Sequence, residues 1–367
     1  MRHFRFSFLF TLLCCILAGW WGFTHGGPGA VLSALGFTLI LGIMEVSLSF
    51  DNAVVNASVL KTWDTYWQNL FLGVGIIVAV FGMRLLFPLM IVAYAADLGI
   101  GQVWTMALND PVQYARHLTN HHAEVAAFGG VFLLLVFLNF LLDDEKELHW
   151  LGDIEEKLGA FGKIGSVPVL VALGTVMASA AIIEPARQLA VLSAGVWGVV
   201  TYVAVDVISS LLEQKEDAGA NVGDLVKRGG IGAFLYLEIL DASFSFDGVI
   251  GAFAITNDII IIMLGLAIGA MFVRSLTVYL VRQGALDEYV YLEHGAHYAI
   301  GILAVIMLVS MKYQVSEVFT GLIGVVFIAA SLWSSVVYKR KAILAASLHA
   351  DHVRISDRPM TAKHYNP

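Results

Sequence analysis

Runs of mostly apolar residues recur along the chain at about 7–23, 30–60, 68–96, 125–142, 167–184, 189–212, 230–256, 258–283, 297–311 and 315–338, parted by short polar stretches. None alternates with a two-residue period, so they read as helices and exclude a closed strand barrel. At roughly 1.5 Å per residue, about 20 such residues cross about 30 Å of hydrocarbon. The pattern predicts an all-α polytopic transmembrane bundle of about ten helices, with the run at 297–311 the shortest.

Composition agrees: of 367 residues, 59% are apolar and only 14% charged, and mean hydropathy is +0.80. Soluble domains run near 25% charged, so a soluble enzyme is excluded. A formal charge of -8 and a pI near 5.7 argue against a nucleic-acid partner. The two cysteines, Cys14 and Cys15, are adjacent within the first apolar run. They fit neither a CxxC redox centre nor a zinc site and read as apolar filler.

Charge sets the expected topology. With the amino terminus in the cytoplasm, most lysines and arginines fall inside, from Arg2, Arg5, Lys61, Lys146, Lys157 and Lys163 through Lys215, Lys227, Arg228 and Arg282 to Lys339, Arg340, Lys341, Arg354, Arg358 and Lys363. Only Arg116, Arg187 and Lys312 fall outside, the asymmetry expected of short loops around ten crossings with both termini cytoplasmic. The domain reading is then an N-terminal signal-anchor helix and periplasmic turn at 1–28, a transmembrane domain at 29–338 and a mobile cytoplasmic tail at 339–367. Trp20, Trp21 and Phe23 look like an interfacial anchor rather than a cleavage site, which favours retention of the first helix. The outward loop from Asp97 to Glu124 carries His117, His121 and His122, which read as solvated polar residues before a metal-collecting spot.

The most informative feature is an internal repeat. Glu45-Val-Ser-Leu-Ser-Phe-Asp51-Asn52 and Asp241-Ala-Ser-Phe-Ser-Phe-Asp247-Gly248 match at constant offset, with Ser47 on Ser243, Ser49 on Ser245, Phe50 on Phe246 and Asp51 on Asp247. Each copy precedes a long apolar helix with a lone arginine, Arg84 or Arg274. Five crossings separate the copies, so they run antiparallel. Inverted repeats of this kind underlie many secondary transporters, with the site near the midplane and helices interrupted around it. The copies are expected to begin near 30 and 230.

An ionised carboxylate facing lipid is costly, so intramembrane acids turn inward and mark ion or proton paths. Five occur here: Glu45, Asp51, Glu238, Asp241 and Asp247. Asp51 lies about two-thirds of a turn off the Glu45 face, so either the helix unwinds around Ser-Phe-Asp, which Gly248 would ease in the second copy, or each acid meets a different neighbour. Glu45, Ser49, Asn52 and Asn56 share one stripe; Glu238, Asp241 and Ser245 share another. Oxygen donors without thiolate or imidazole suit hard divalent cations such as Mn²⁺, Mg²⁺ or Ca²⁺. The same acids accept protons, so metal and proton could compete and exchange. Pairing with Arg84 or Arg274 is the alternative use of any one acid. Glu184, Asp206 and Asn139 read as capping, interfacial or helix-packing groups, and Glu293, His294 and His297 as interfacial packing ahead of a gate or proton route. Gly265 and Gly269, four apart, permit close helix packing.

With Glu45, Ser49, Asp51 and Asn52, and Glu238, Asp241, Ser245 and Asp247 in view, the chain resembles the TerC family of integral membrane proteins, related to the lysine-exporter superfamily. It departs from that pattern at Gly248 and in its long middle section. The resemblance implies metal-ion efflux from the bacterial cytoplasm across the inner membrane, with Mn²⁺ favoured, no resident cofactor and no enzymatic activity. The metal ligands are then expected among Glu45, Asp51, Asn52, Asn56, Glu238, Asp241 and Asp247, supported by Ser49, Ser245, Arg84 and Arg274. The alternatives are efflux of an organic cation or amino acid, an intramembrane aspartyl hydrolase and a non-transporting scaffold. No GxxxxGK[ST] loop is present to drive transport by nucleotide hydrolysis.

Overall fold

The computed structural model describes residues 4–75, 77–144, 146, 148–159, 161–162, 165–213, 229–283, 289–313 and 315–356; the side chains of 79, 95, 206, 209–213, 246, 247, 317, 318 and 342–356 are not described. Arg2, Lys163, Lys215, Lys227, Arg228, Arg358 and Lys363 lie outside the described residues, as do the side chains of Asp206, Phe246, Asp247 and Arg354. Among the described residues there are helices and no strand. In chain order these are α1 (Arg5–Gly26), α2 (Pro28–Leu48), α3 (Phe50–Leu60), α4 (Thr65–Leu70), two π-helical stretches (Phe71–Gly75 and Val78–Leu86), α5 (Phe87–Ala96), α6 (Ile100–Asn109), α7 (Pro111–Asn120) and α8 (His122–Leu141). There follow α9 (Asp153–Gly159), α10 (Val167–Ala181), α11 (Gln188–Glu213), α12 (Ile231–Ile255), α13 (Ile259–Gln283), α14 (Leu292–Ser310) and α15 (Glu317–Ser356).

All ten apolar runs fall on helices, and eight of the helical spans are long and apolar enough to cross a membrane by length and composition. The other two runs are α10, which is short at 15 residues, and α12, which carries Glu238, Asp241 and Asp247. Large apolar side chains such as Leu32, Leu189 and Trp333 are left exposed around the bundle, as a lipid solvent requires.

Three expectations are corrected. The outward loop is two short helices. Asp110 caps α7 by accepting the Gln113 N–H at 3.1 Å ahead of Pro111, and Val103, Ala107, Tyr114 and Leu118 are buried beneath. The run expected to start at 297 starts at Leu292, because His294 and His297 are buried with it. Beyond Lys339 the chain continues the last helix to Ser356 instead of leaving it.

The helices form two packed groups. In one, α8 is surrounded by α14, α11, α12 and α10. In the other, α13 packs on α2, α3 and α1. The first helix is woven into this second group: Ser7, Cys14, Ala18 and Gly22 form a buried small-residue stripe. Ser7 Oγ contacts Ser275 Oγ at 2.7 Å and donates to the Met271 carbonyl at 3.0 Å, and Trp21 Nε1 donates to Asp258 at 2.8 Å. Helices α2 and α13 approach so closely because Gly265 and Gly269 lack side chains. A Cβ on Gly265 would sit 2.5 Å from Leu41 Cβ, and one on Gly269 would overlap Glu45 Cβ.

Between α8 and α10 the chain folds over the end of the bundle, held by Glu155, which is fully buried. Lys146 Nζ donates to it at 2.7 Å and the Leu151 N–H at 3.1 Å; His294 Nε2 lies 3.6 Å away and donates to the Leu148 carbonyl at 2.9 Å. Burial pushes the Glu155 carboxyl up, but these hydrogen bonds and the charges of Lys146 and His294 outweigh it and hold the group below its ordinary value.

Two outcomes are expected. Gly265→Val overpacks the α2–α13 seam and lowers the detergent-solubilised protein's stability by about 1–3 kcal/mol; Gly36→Ala, inside α2 with open space around it, does not lower the melting temperature. Because the folded Glu155 value is depressed, its stabilisation is complete above the ordinary carboxylate pKa of about 4.3 and is lost as pH falls through the lower folded value. Hydrogen-exchange protection of α9 should follow that course, and Lys146→Met should move the loss to higher pH.

Candidate functional site

The two motif copies fold differently. In the first, the helix breaks at Ser49 (φ -102°, ψ 19°), separating α2 from α3. In the second, α12 runs unbroken through Gly248, so the unwinding expected there occurs only in the first copy. Glycine at 248 has another use. A Cβ there would meet Glu45 Oε2 at 2.8 Å, so the position is kept open for the carboxylate of the opposite copy.

Glu45 is buried between α12 and α13, and its Oε1 accepts from Arg84 Nη2, itself buried, and from Ser49 Oγ at 3.0 Å. Here the pairing alternative raised from sequence is what the structure holds: Glu45 is engaged with Arg84.

Just past the break, α3 presents Asn52 and Asn56 toward α12. Asn56 Nδ2 donates to Asp241 Oδ1 at 2.8 Å, and Asn52 supplies a second amide beside the same carboxylate. These three residues, with Arg84, Arg274, Thr277, Phe71, Leu72 and Gly75, line a cavity of about 40 Å³. A water needs about 10–15 Å³ of such space, so the cavity has room for one small ion with a water or two. The amide oxygens Oδ1 of Asn52 and Asn56 are buried without a hydrogen-bond partner. Two amide side chains, each with an unpartnered oxygen, and one carboxylate therefore belong to the residues around the same small space. Arg274 Nη1 donates to the Phe71 carbonyl at 3.3 Å from the far wall.

The remaining expected ligands go elsewhere. Asp51 is buried at the first turn of α3, where Oδ1 accepts the Asn52 N–H at 2.9 Å and Oδ2 faces Gly324 of α15; it does not line the cavity. That position suits an anion at a helix N-terminus. Glu238, one turn before Asp241, is buried with neither oxygen hydrogen-bonded, and Oε1 faces Gly75. Ser245 is buried with its hydroxyl unpartnered. Asp247 lies on α12, and its side chain is outside the described residues. Among the described residues, no three His, Cys, Asp or Glu side chains gather where they could hold a metal.

The weaker candidates have packing uses. His297 stacks on Phe140 at 3.9 Å and bonds the Glu293 carbonyl. His121 approaches Glu124 at 4.0 Å, and Glu124 pairs with Arg187 at 2.6 Å. Asn139 donates to Leu135 of its own helix rather than to a neighbouring one. Glu184 lies in the turn before α11. Thr277 was missed by sequence reasoning; its place one turn beyond Arg274 on the same face was the available signal.

A family described as "Protein of unknown function (DUF475)" matches residues 50–342, most of the chain. The chain belongs to the DUF475 family. The DUF475 match spans α3, α12 and α13 and so includes every polar residue that lines the cavity. No curated protein and no solved structure matches the chain.

The Glu45–Arg84 pair makes a sharp prediction. Arg84→Gln leaves a buried carboxylate without its counter-charge and should cost about 3–5 kcal/mol of stability. Adding Glu45→Gln should recover most of that loss, which a double-mutant cycle on thermal unfolding in detergent measures.

Proposed function

We propose that this chain is a secondary exporter of a divalent metal cation, Mn²⁺ favoured, coupled to proton exchange. The observation that carries the reading is the cavity where the two motif copies meet: Asp241, Asn52 and Asn56 line space for one small ion, and both amides carry a buried oxygen without a partner. Buried polar oxygens without partners are expensive, and a cation is the group that satisfies several at once. All three side chains offer hard oxygen donors, and among the described residues no thiolate or imidazole is on the wall, which favours Mn²⁺, Mg²⁺ or Ca²⁺ over Zn²⁺ or Cu⁺. One carboxylate with two neutral oxygens is also a weak set, as suits cargo that must leave again.

The resemblance to the TerC family supports the same cargo. The proposed topology has ten crossings, α10 and α12 among them, an inverted repeat, both termini in the cytoplasm and the bacterial inner membrane as location. Glu45 with Arg84 then holds the bundle, Asp241 with Asn52 and Asn56 receives the metal, and Asp51, Glu238 and Asp247 are the further acids available to protons. The cavity of about 40 Å³ fits a small ion better than an amino acid or organic cation, which favours the metal reading over that alternative.

The test is Mn²⁺ uptake into proteoliposomes that contain a pH-sensitive dye. Intact protein should move Mn²⁺ with opposed proton movement. Asp241→Asn should abolish both, and Asn56→Leu should weaken Mn²⁺ transport at least tenfold. Equal flux in Asp241→Asn, with folded protein and matched amounts, would refute the site, and no flux in the intact protein would refute the cargo.

A further inference from the structure

The two copies carry the same opposite charges, and only one copy has them joined. Glu45 holds Arg84. By the motif alignment the counterpart of Glu45 is Asp241, and the arginine in the interior of the following helix, which ends with Arg282 in its last turn, is Arg274. These two line the same cavity without being paired. Asp241 is bonded by Asn56, while Arg274 makes its one hydrogen bond, at 3.3 Å, to the Phe71 carbonyl. Among the described residues Arg274 has no carboxylate partner. A half-buried guanidinium in a bundle of this apolar character is costly without a counter-charge, and among the described residues Asp241 is the acid that lines the same cavity.

We propose that Arg274 is a tethered counter-cation for Asp241, pairing with it in the opposite-facing state of the carrier while the Glu45–Arg84 pair opens. This rests on the transport reading above. In inverted repeats, alternating access exchanges the arrangements of the two halves about a fixed site, so a contact made in one copy now is made in the other copy next. The exchange gives the arginine a task. Asp241 is the one acid among the described residues on the cavity wall, and about 40 Å³ has room for one cation at it. Guanidinium and metal therefore exclude each other, and formation of the Asp241–Arg274 pair expels the cargo by substitution. Arg274 acts through Asp241 and is a positioning residue for release.

The test reads the sidedness of the cavity without any metal. Thr277→Cys, on the cavity wall one turn from Arg274, is introduced into the full chain with Cys14 and Cys15 replaced by alanine. The thiol is labelled with a membrane-impermeant maleimide in right-side-out and in inside-out vesicles. Arg274→Gln removes the pair of the opposite state and should shift the labelling ratio several-fold toward the side reached when the Glu45–Arg84 pair is closed. Glu45→Gln with Arg84→Gln removes the pair of the present state without stranding a buried charge, and should shift the ratio the other way. Arg274→Lys should restore the parent ratio. Shifts in one direction, or none in either variant, would overturn the proposal. Opposite shifts in a protein that carries no Mn²⁺ would leave the ion-pair exchange standing and remove only the cargo.

Discussion

A carboxylate and a guanidinium paired out of contact with water dominate the architecture of this bundle. Glu45 and Arg84 are both buried, and each would be intolerable there alone. The backbone is arranged around them. Gly269 of α13 gives way beside the Glu45 stem, Gly248 of α12 gives way beside its second oxygen, and Ser49 turns back onto the first. Because the pair belongs to α2 and to a π-wound stretch, it ties both to α12 and α13. The cavity is the space left beside that junction.

The same motif is therefore used twice to different ends. The first copy breaks at Ser49 and turns Asn52 and Asn56 toward the second; the second stays helical and offers Asp241 in return. A broken helix in membrane-like surroundings must satisfy its freed backbone groups locally, and the Asp51 carboxylate does so by accepting the Asn52 N–H. Asp51 thus serves the break that aims the asparagines, although it stands off the cavity itself.

The helices were legible because each is a long apolar run, and lipid leaves little ambiguity in such runs. What escaped was anything set by packing between distant segments. The amphipathic α6 and α7 looked like a loop because their apolar positions are few and interleaved with polar ones. The polar end of α15 looked unstructured because hydropathy says whether a segment inserts, not whether its helix stops. At the site, two oxygen-rich stripes, one with Asn52 and Asn56 and the other with Asp241, were readable from spacing, but their meeting and the separation of Asp51 from them were not. That depends on one non-helical residue, Ser49, in a sequence whose twin at Ser245 remains helical. The shared Ser-Phe-Asp takes two backbone forms, so those three residues alone do not set the break; Gly324 of α15 faces Asp51 in the first copy, and nothing in the motif announces it.

The stretch that carries Arg84 is wound with i→i+5 hydrogen bonds over Phe71–Gly75 and Val78–Leu86. Such winding is wider than an α-helix and fits an extra residue into each turn. Reverting any turn to α-form turns every residue beyond it about the axis, as a screw turns when its thread tightens. A side chain mounted on that screw is rotated away from its partner when a turn before it rewinds, and the helix beyond turns with it.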